Sequence, residues 1–256
     1  MIIDTNAYLG PFAFRQLRHN TADGLLRLMD EKRIDRAMVS SAIAVTYRNP
    51  QAGNEELAAA VERRRDRLIP FAVINPSYAG WLDDLQICHE KLGMKGLRLY
   101  PKWHNYALSD ECLLALVEEA TKRKMIVSIP IRVEDSRQQS WLVDIPDVPL
   151  AEIVVLVKAC PETKFILLNG IGYTGSPLGK PAGGLPANYF LEISRLSATL
   201  ADELGTLLAA VGPERLVFGS GMPFKYPDPA LLKLEVLDAP EDVKEKIRSG
   251  NAVGML

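Results

Sequence analysis

Histidine and cysteine are scarce in this chain, with three of each among 256 residues. His19, His89 and His104 are too scattered to predict a multi-histidine zinc centre. Cys88, Cys112 and Cys160 are odd in number and contain no CxxC pair. That excludes a disulfide framework or a thiolate metal site, favours inert half-buried thiols over a catalytic one, and suits a reducing, cytoplasmic setting. No apolar run approaches the ~18 residues of a membrane-spanning helix. The first residues show no charged region or cleavage pattern, so no signal peptide is predicted. A formal net charge of −2 supplies neither a basic field for nucleic acid nor a polybasic arm for a membrane. What the chain does have is core: 48% of its residues are hydrophobic. The length suits one (β/α)8 barrel and is too short for two full α/β domains, so residues 1–256 are read as one domain.

Strand-like and helix-like segments alternate. The predicted strands are Ile2–Thr5, Ala37–Ile43, Leu68–Ile74, Gly96–Tyr100, Met125–Ile131, Lys164–Leu168, Tyr189–Ser194 and Leu216–Gly219. All are short and apolar, as parallel strands covered by helices are. Between them lie amphipathic stretches, with caps expected at Thr21, Asn54 and Asp110 and a proline opening "PLAEIVVLVKAC". The tail "APEDVKEKIRSGNAVGML" reads as a last helix, with Gly250 near a kink or end. Such alternation makes either a closed barrel or a doubly wound sheet, and eight units with no spare segment favour the (β/α)8 TIM barrel.

A helix is missing after the sixth strand, where residues 170–186 hold six glycines and three prolines. Gly170, Gly172 and Gly175 spell G-x-G-x-x-G, but no helix follows to make a dinucleotide site. "LGKP" is no P-loop either, because Thr174 and Pro181 stand where a glycine and a Ser/Thr are needed. The segment is either a flexible crossover or an active-site lid.

Strand alternation selects the residues that face into the barrel. Asp4 and Asn6 come from the first strand, Arg98 and Tyr100 from the fourth, and Ser128, Pro130 and Arg132 from the fifth. Asn169 ends the sixth, and Glu192 and Ser194 come from the seventh. Inward charges are costly unless paired or meeting a ligand. The plainer reading pairs Arg98 with Glu192 or Asp4. The functional one has Arg98 and Arg132 gripping a carboxylate or phosphate. His104 follows the fourth strand, as a general acid or base or as an exposed loop residue without a role.

Four segments carry a resemblance over the whole length. "IIDTNAYLG", "GLRLYPKWHNYALSD", "RLVFGSGMPF" and "IRSGNAVGML" are similar to, and in the order of, motifs of the amidohydrolase superfamily. The relevant branch includes aminocarboxymuconate-semialdehyde decarboxylase and many metal-dependent hydrolases. The resemblance implies a TIM barrel with metal ligands at five positions, occupied here by Asn6, Tyr8, Pro130, Asn169 and Gly221. By that mapping every ligand is replaced, so no metal and no other cofactor is expected. The polar replacements suggest a pocket that still binds something.

Two functions are therefore weighed. One is a metal-independent hydrolase or lyase acting on a small carboxylated compound. Tyr8, His104 and Glu192 would handle protons, and Asn6, Arg98, Tyr100, Arg132 and Asn169 would bind the ligand. The other is a non-catalytic relative that binds a small anion or serves as a partner subunit, a homodimer being one arrangement. A residual metal site at Asp4, Glu192 and His104 has sparse ligands and is the weakest reading.

Overall fold

The computed structural model describes residues 1–180, 184–198 and 201–256. Its eight parallel strands stand in sequence order, β1 to β8: Ile3–Leu9, Arg36–Ser41, Leu68–Ala72, Gly96–Arg98, Ile126–Pro130, Phe165–Leu168, Tyr189–Glu192 and Leu216–Val217. β1 runs past its predicted end at Thr5, because its outer half closes the barrel. The N–H groups of Thr5 and Tyr8 donate to the carbonyls of Phe218 and Met222 at 3.0 and 2.8 Å. The Gly221 N–H returns a bond to Asn6 O at 2.7 Å. The sheet therefore closes as a (β/α)8 barrel, with β1 beside β8.

The helices between strands are α1 (Ala22–Glu31), α2 (Gln51–Val61), α3 (Trp81–Gln86), α4 (Pro101–His104), α5 (Glu111–Lys122), α6 (Leu150–Ala159) and α7 (Glu203–Val211). After β8 come α8 (Asp228–Val236), α9 (Glu241–Glu245) and α10 (Asn251–Met255). The Thr21 hydroxyl caps α1 by accepting the Gly24 N–H at 3.1 Å. Asn54 does not cap α2. It lies buried inside the helix, and its amide bonds both the N–H and the C=O of Val73 at 2.8 Å. Asp110 stands at the start of α5, but its carboxylate turns back to the Ala107 N–H at 2.9 Å. Pro149 directly precedes α6. At the other end of the chain, a π-turn over Lys246–Gly250 joins α9 to α10. No helix among the described residues is long and apolar enough to cross a membrane.

Among the described residues, no helix follows β6. Two single turns, Tyr173–Gly175 and Pro177–Gly179, stand there instead. They do not cover the barrel mouth. Tyr173 and Leu178 are buried in the outer apolar layer with Leu156 of α6 and Leu207 of α7. The Tyr173 hydroxyl donates to Leu167 O at 3.2 Å, and the Tyr189 hydroxyl to Leu178 O at 2.9 Å. Residues 171–180 thus occupy the helix position rather than forming a lid. Residues 181–183 of the expected lid lie outside the described residues. A Cβ on Gly179 would come within 2.3 Å of the Tyr173 carbonyl oxygen, whereas one on Gly175 would meet nothing within 4 Å. Gly179→Ala is therefore expected to lower stability by about 1–3 kcal/mol in urea unfolding, with Gly175→Ala as the near-neutral control.

Candidate functional site

β1 delivers Asp4, Asn6 and Tyr8 inward, all fully buried. Asp4 accepts the N–H groups of Asn6 and Ser220 at 2.8 and 3.0 Å, and the Ser220 hydroxyl. Burial nevertheless pushes its carboxyl up to about 7, with the nearby Glu192 charge adding to the shift. The Asn6 amide nitrogen donates to Asn169 Oδ1 at 3.0 Å and to Glu192 Oε2 at 3.2 Å. Both partners are acceptors, which fixes the amide orientation. It leaves Asn6 Oδ1 buried without a hydrogen-bond partner.

Glu192 also accepts the Asn169 N–H at 2.9 Å, the Ser194 hydroxyl at 3.0 Å and the Ser194 N–H. Asn169 itself has a left-handed backbone (φ 56°), which asparagine tolerates better than most residues. Its amide nitrogen donates to Arg132 O at 3.0 Å, and its oxygen takes the Lys225 ammonium at 2.6 Å. The structure therefore gathers three predicted residues, Asn6, Asn169 and Glu192, around a lysine that the pattern of strands did not single out.

The other predicted residues lie apart from this cluster. Arg98 is fully buried, and each of its five N–H groups is spent on the protein. They reach the carbonyls of Ala7 (2.7 Å), Thr5 (3.0 Å) and Met38 (3.3 Å), and the hydroxyls of Ser40 (3.1 Å) and Ser128 (3.2 Å). No donor remains for a ligand, and no carboxylate among the described residues pairs with it, so both sequence readings of Arg98 give way to a structural one. Its charge is met by carbonyl dipoles and by the face of Tyr8, 5.0 Å away.

Above Tyr8 the mouth is filled by aromatics from the loops after β1 and β8 and from α4. Phe224 lies edge-on at 4.9 Å, Phe12 lies 4.9 Å from Phe224, and Trp103 lies 5.9 Å from Phe12. Burial raises the phenols of both Tyr8 and Tyr100, so neither is a base at neutral pH. The Tyr100 hydroxyl contacts Ser40 at 3.1 Å.

His104 is buried rather than exposed, and its Nε2–H donates to Ala44 O at 3.2 Å, in the loop after β2. Burial drives it down to about 4, so it stays neutral and serves packing. The Arg132 side chain pairs with Asp147 in the loop before α6. The gap beside Arg132 and Tyr100 measures about 10 Å³, room for one water. The paired-arginine anion site does not form.

The open side of the mouth lies between the loops after β1 and β8. A cleft of about 570 Å³ is lined there by Arg15, Arg18, His19, Ser194, Ser220 and Lys225, among others. Arg15 is held by buried Glu134 at 3.3 Å and by Phe224 O at 3.0 Å. Lys225 reaches the cleft over Gly221. A Cβ at that glycine would stand 3.3 Å from the lysine Cδ. Burial lowers the Lys225 ammonium to about 8; Glu192 opposes the shift, and Arg195, Lys233 and Arg132 add to it.

Solved structures superpose on the whole chain. A 2,6-dihydroxybenzoate decarboxylase in complex with 2,6-dihydroxybenzoate matches with TM-score 0.71 and 18% identity, over 99% of this chain and 98% of that one. A protein described as amidohydrolase II matches at 0.73 and 17%, over 100% and 99%. 4-Oxalomesaconate hydratase from Rhodopseudomonas palustris matches at 0.74 and 17%, over 100% and 95%. The chain shares the (β/α)8 barrel fold of these proteins. No protein-family model and no curated protein matches the sequence.

The residues at the five positions where such a barrel would hold metal, by the resemblance above, do not fit one. The amide nitrogens of Asn6 and Asn169 donate to Asn169, Glu192 and Arg132, and Asn169 Oδ1 is taken by Lys225, which leaves Asn6 Oδ1 as a single neutral oxygen, too little to hold an ion. Tyr8 is a neutral phenol under the aromatic cover, while Pro130 and Gly221 offer no donor side chain. A cation already stands among them, the ammonium of Lys225. Asp4, Glu192 and His104 do not form an alternative. No three His, Cys, Asp or Glu side chains converge on a common point among the described residues. Lys225 could have been noticed as a lysine four residues beyond a glycine standing where the amidohydrolase pattern has an acid.

Proposed function

We propose that this chain is an enzyme on the amidohydrolase barrel, acting without bound metal on a small carboxylated compound by hydrolysis or a lyase-type step. The observation that carries this reading is the Lys225 ammonium, 2.6 Å from Asn169 Oδ1, standing among the expected metal positions. It supplies positive charge at the mouth without a metal ion. Arg18 lines the same cleft and gives a carboxylate its counter-charge, whereas Arg15 is already paired with Glu134. The named substrates of the decarboxylase and hydratase with this fold are carboxylated, which supports the same class here.

A thermal-shift panel of benzoate, 2,6-dihydroxybenzoate and malonate, run in EDTA, tests the proposal. At least one of them is expected to stabilise the parent. Arg18→Met should weaken that response roughly ten- to a hundredfold, the loss of one charge-assisted bond of about 1.5–3 kcal/mol. The proposal fails if no carboxylate stabilises the parent, or if Arg18→Met responds as the parent does.

One observation favours the alternative, a non-catalytic anion binder or partner subunit. Glu192, the inward charge expected to handle protons, is saturated by protein partners. Binding without turnover across the panel would select it.

A further inference from the structure

Lys225 is an unusual cation in its setting. It lies at the edge of the barrel interior, yet no carboxylate oxygen is within ion-pair distance among the described residues; its one hydrogen-bond partner is the neutral oxygen of Asn169. The chain invests in placing it there. Gly221 has φ 79° and no side chain, and the lysine stem crosses that bare backbone. Asn169 is itself aimed by bonds to Arg132 O and Glu192. A lysine only filling space could turn outward, where its ammonium would be hydrated. Here the amine is held by one acceptor and opens on the cleft that Arg18, His19 and Ser194 share.

We propose that the Lys225 amine is a nucleophile that forms an imine with a small 2-oxo acid in this cleft, the acid's carboxylate facing Arg18. This rests on the carboxylate reading above and names its substrate as a carbonyl compound. In the step, the Nζ lone pair attacks the carbonyl carbon and the C–O π pair moves to oxygen. The resulting carbinolamine loses that oxygen as water, which takes one amine hydrogen and one proton from solvent, while the nitrogen lone pair forms C=N. The protonated imine keeps the other N–H for Asn169 Oδ1 and draws electrons from the adjacent carbon. Desolvation and the neighbouring Arg195, Lys233 and Arg132 charges favour the free amine, with Glu192 opposing them. At neutral pH its unprotonated fraction is roughly a hundredfold that of a surface lysine.

The test uses pyruvate with sodium borohydride, which reduces an imine to a stable secondary amine, followed by intact mass and peptide mapping. Expected is one adduct per chain, located at Lys225, and its loss in Lys225→Arg, which keeps the charge but not the nucleophile. Melting temperature checks that this variant folds, and mapping the parent needs no variant. Labelling of Lys225 no greater than that of surface lysines would overturn the proposal. If pyruvate stabilises the parent thermally but leaves no adduct at Lys225, the imine is wrong and the carboxylate reading stands. If no carboxylate binds and no adduct forms, both fall.

Discussion

Arg98→Met is expected to cost about 3–5 kcal/mol of stability, and to do so with or without any ligand present. The guanidinium ties β1, β2, β4 and β5 together from inside, through three carbonyls and two hydroxyls. Methionine fills much of the volume but satisfies none of those acceptors, and the position is fully buried. Arg98→Lys keeps the charge with three donors in place of five and a different shape, so it should lie between parent and Met. Urea unfolding at fixed pH measures both. A carboxylate-binding role for Arg98 predicts the opposite pattern: near-parent stability and a lost ligand response.

Asp4 gives the second large effect, through pH. Its carboxyl rises from the usual 3.8 to about 7 in the folded chain. The folded state therefore holds a proton that the unfolded state has already released. Stability from this group is fully present below about pH 4 and is lost as pH rises through about 7. The slope approaches 1.4 kcal/mol per pH unit within that window, for a total on the order of 4 kcal/mol. Asp4→Asn should remove the slope, because an amide reproduces the protonated acid: its oxygen accepts from Asn6 and Ser220, and its nitrogen donates to the Ser220 hydroxyl. At pH 8 the variant is expected to match or exceed the parent. Unfolding curves at pH 5, 6, 7 and 8 measure the difference between the two proteins, which cancels the other carboxylates. A parent whose stability relative to Asp4→Asn stays flat over that range would show that Asp4 is ionised in the fold.

The barrel was legible because parallel strands buried on both sides are short apolar runs, and all eight were visible as such. That the described residues after β6 form no helix was legible from glycine and proline, although the packing of the turns there was not. That depends on Tyr173 folding back under its own strand end. The inward direction of Arg98 followed from alternation, but its role did not, because three of its five partners are backbone carbonyls, which carry no side-chain signature. His104 read as a loop residue and is buried, since α4 turns it toward Ala44. The aromatic cover over Tyr8 joins Phe12, Trp103 and Phe224, which are far apart in sequence and set by two loops and the single turn of α4, none with periodicity. Lys225 was missed for the same reason: it lies beyond β8, where no alternation assigns a direction.

Metal content, read together with ligand binding, tests most directly whether Lys225 stands in place of a metal ion. Purified protein, dialysed without chelator, is expected to carry no stoichiometric transition metal by elemental analysis, and its carboxylate-dependent thermal shift should be the same before and after EDTA. Near-stoichiometric zinc, manganese or iron, with a carboxylate response that disappears in EDTA and returns with the metal, would contradict it.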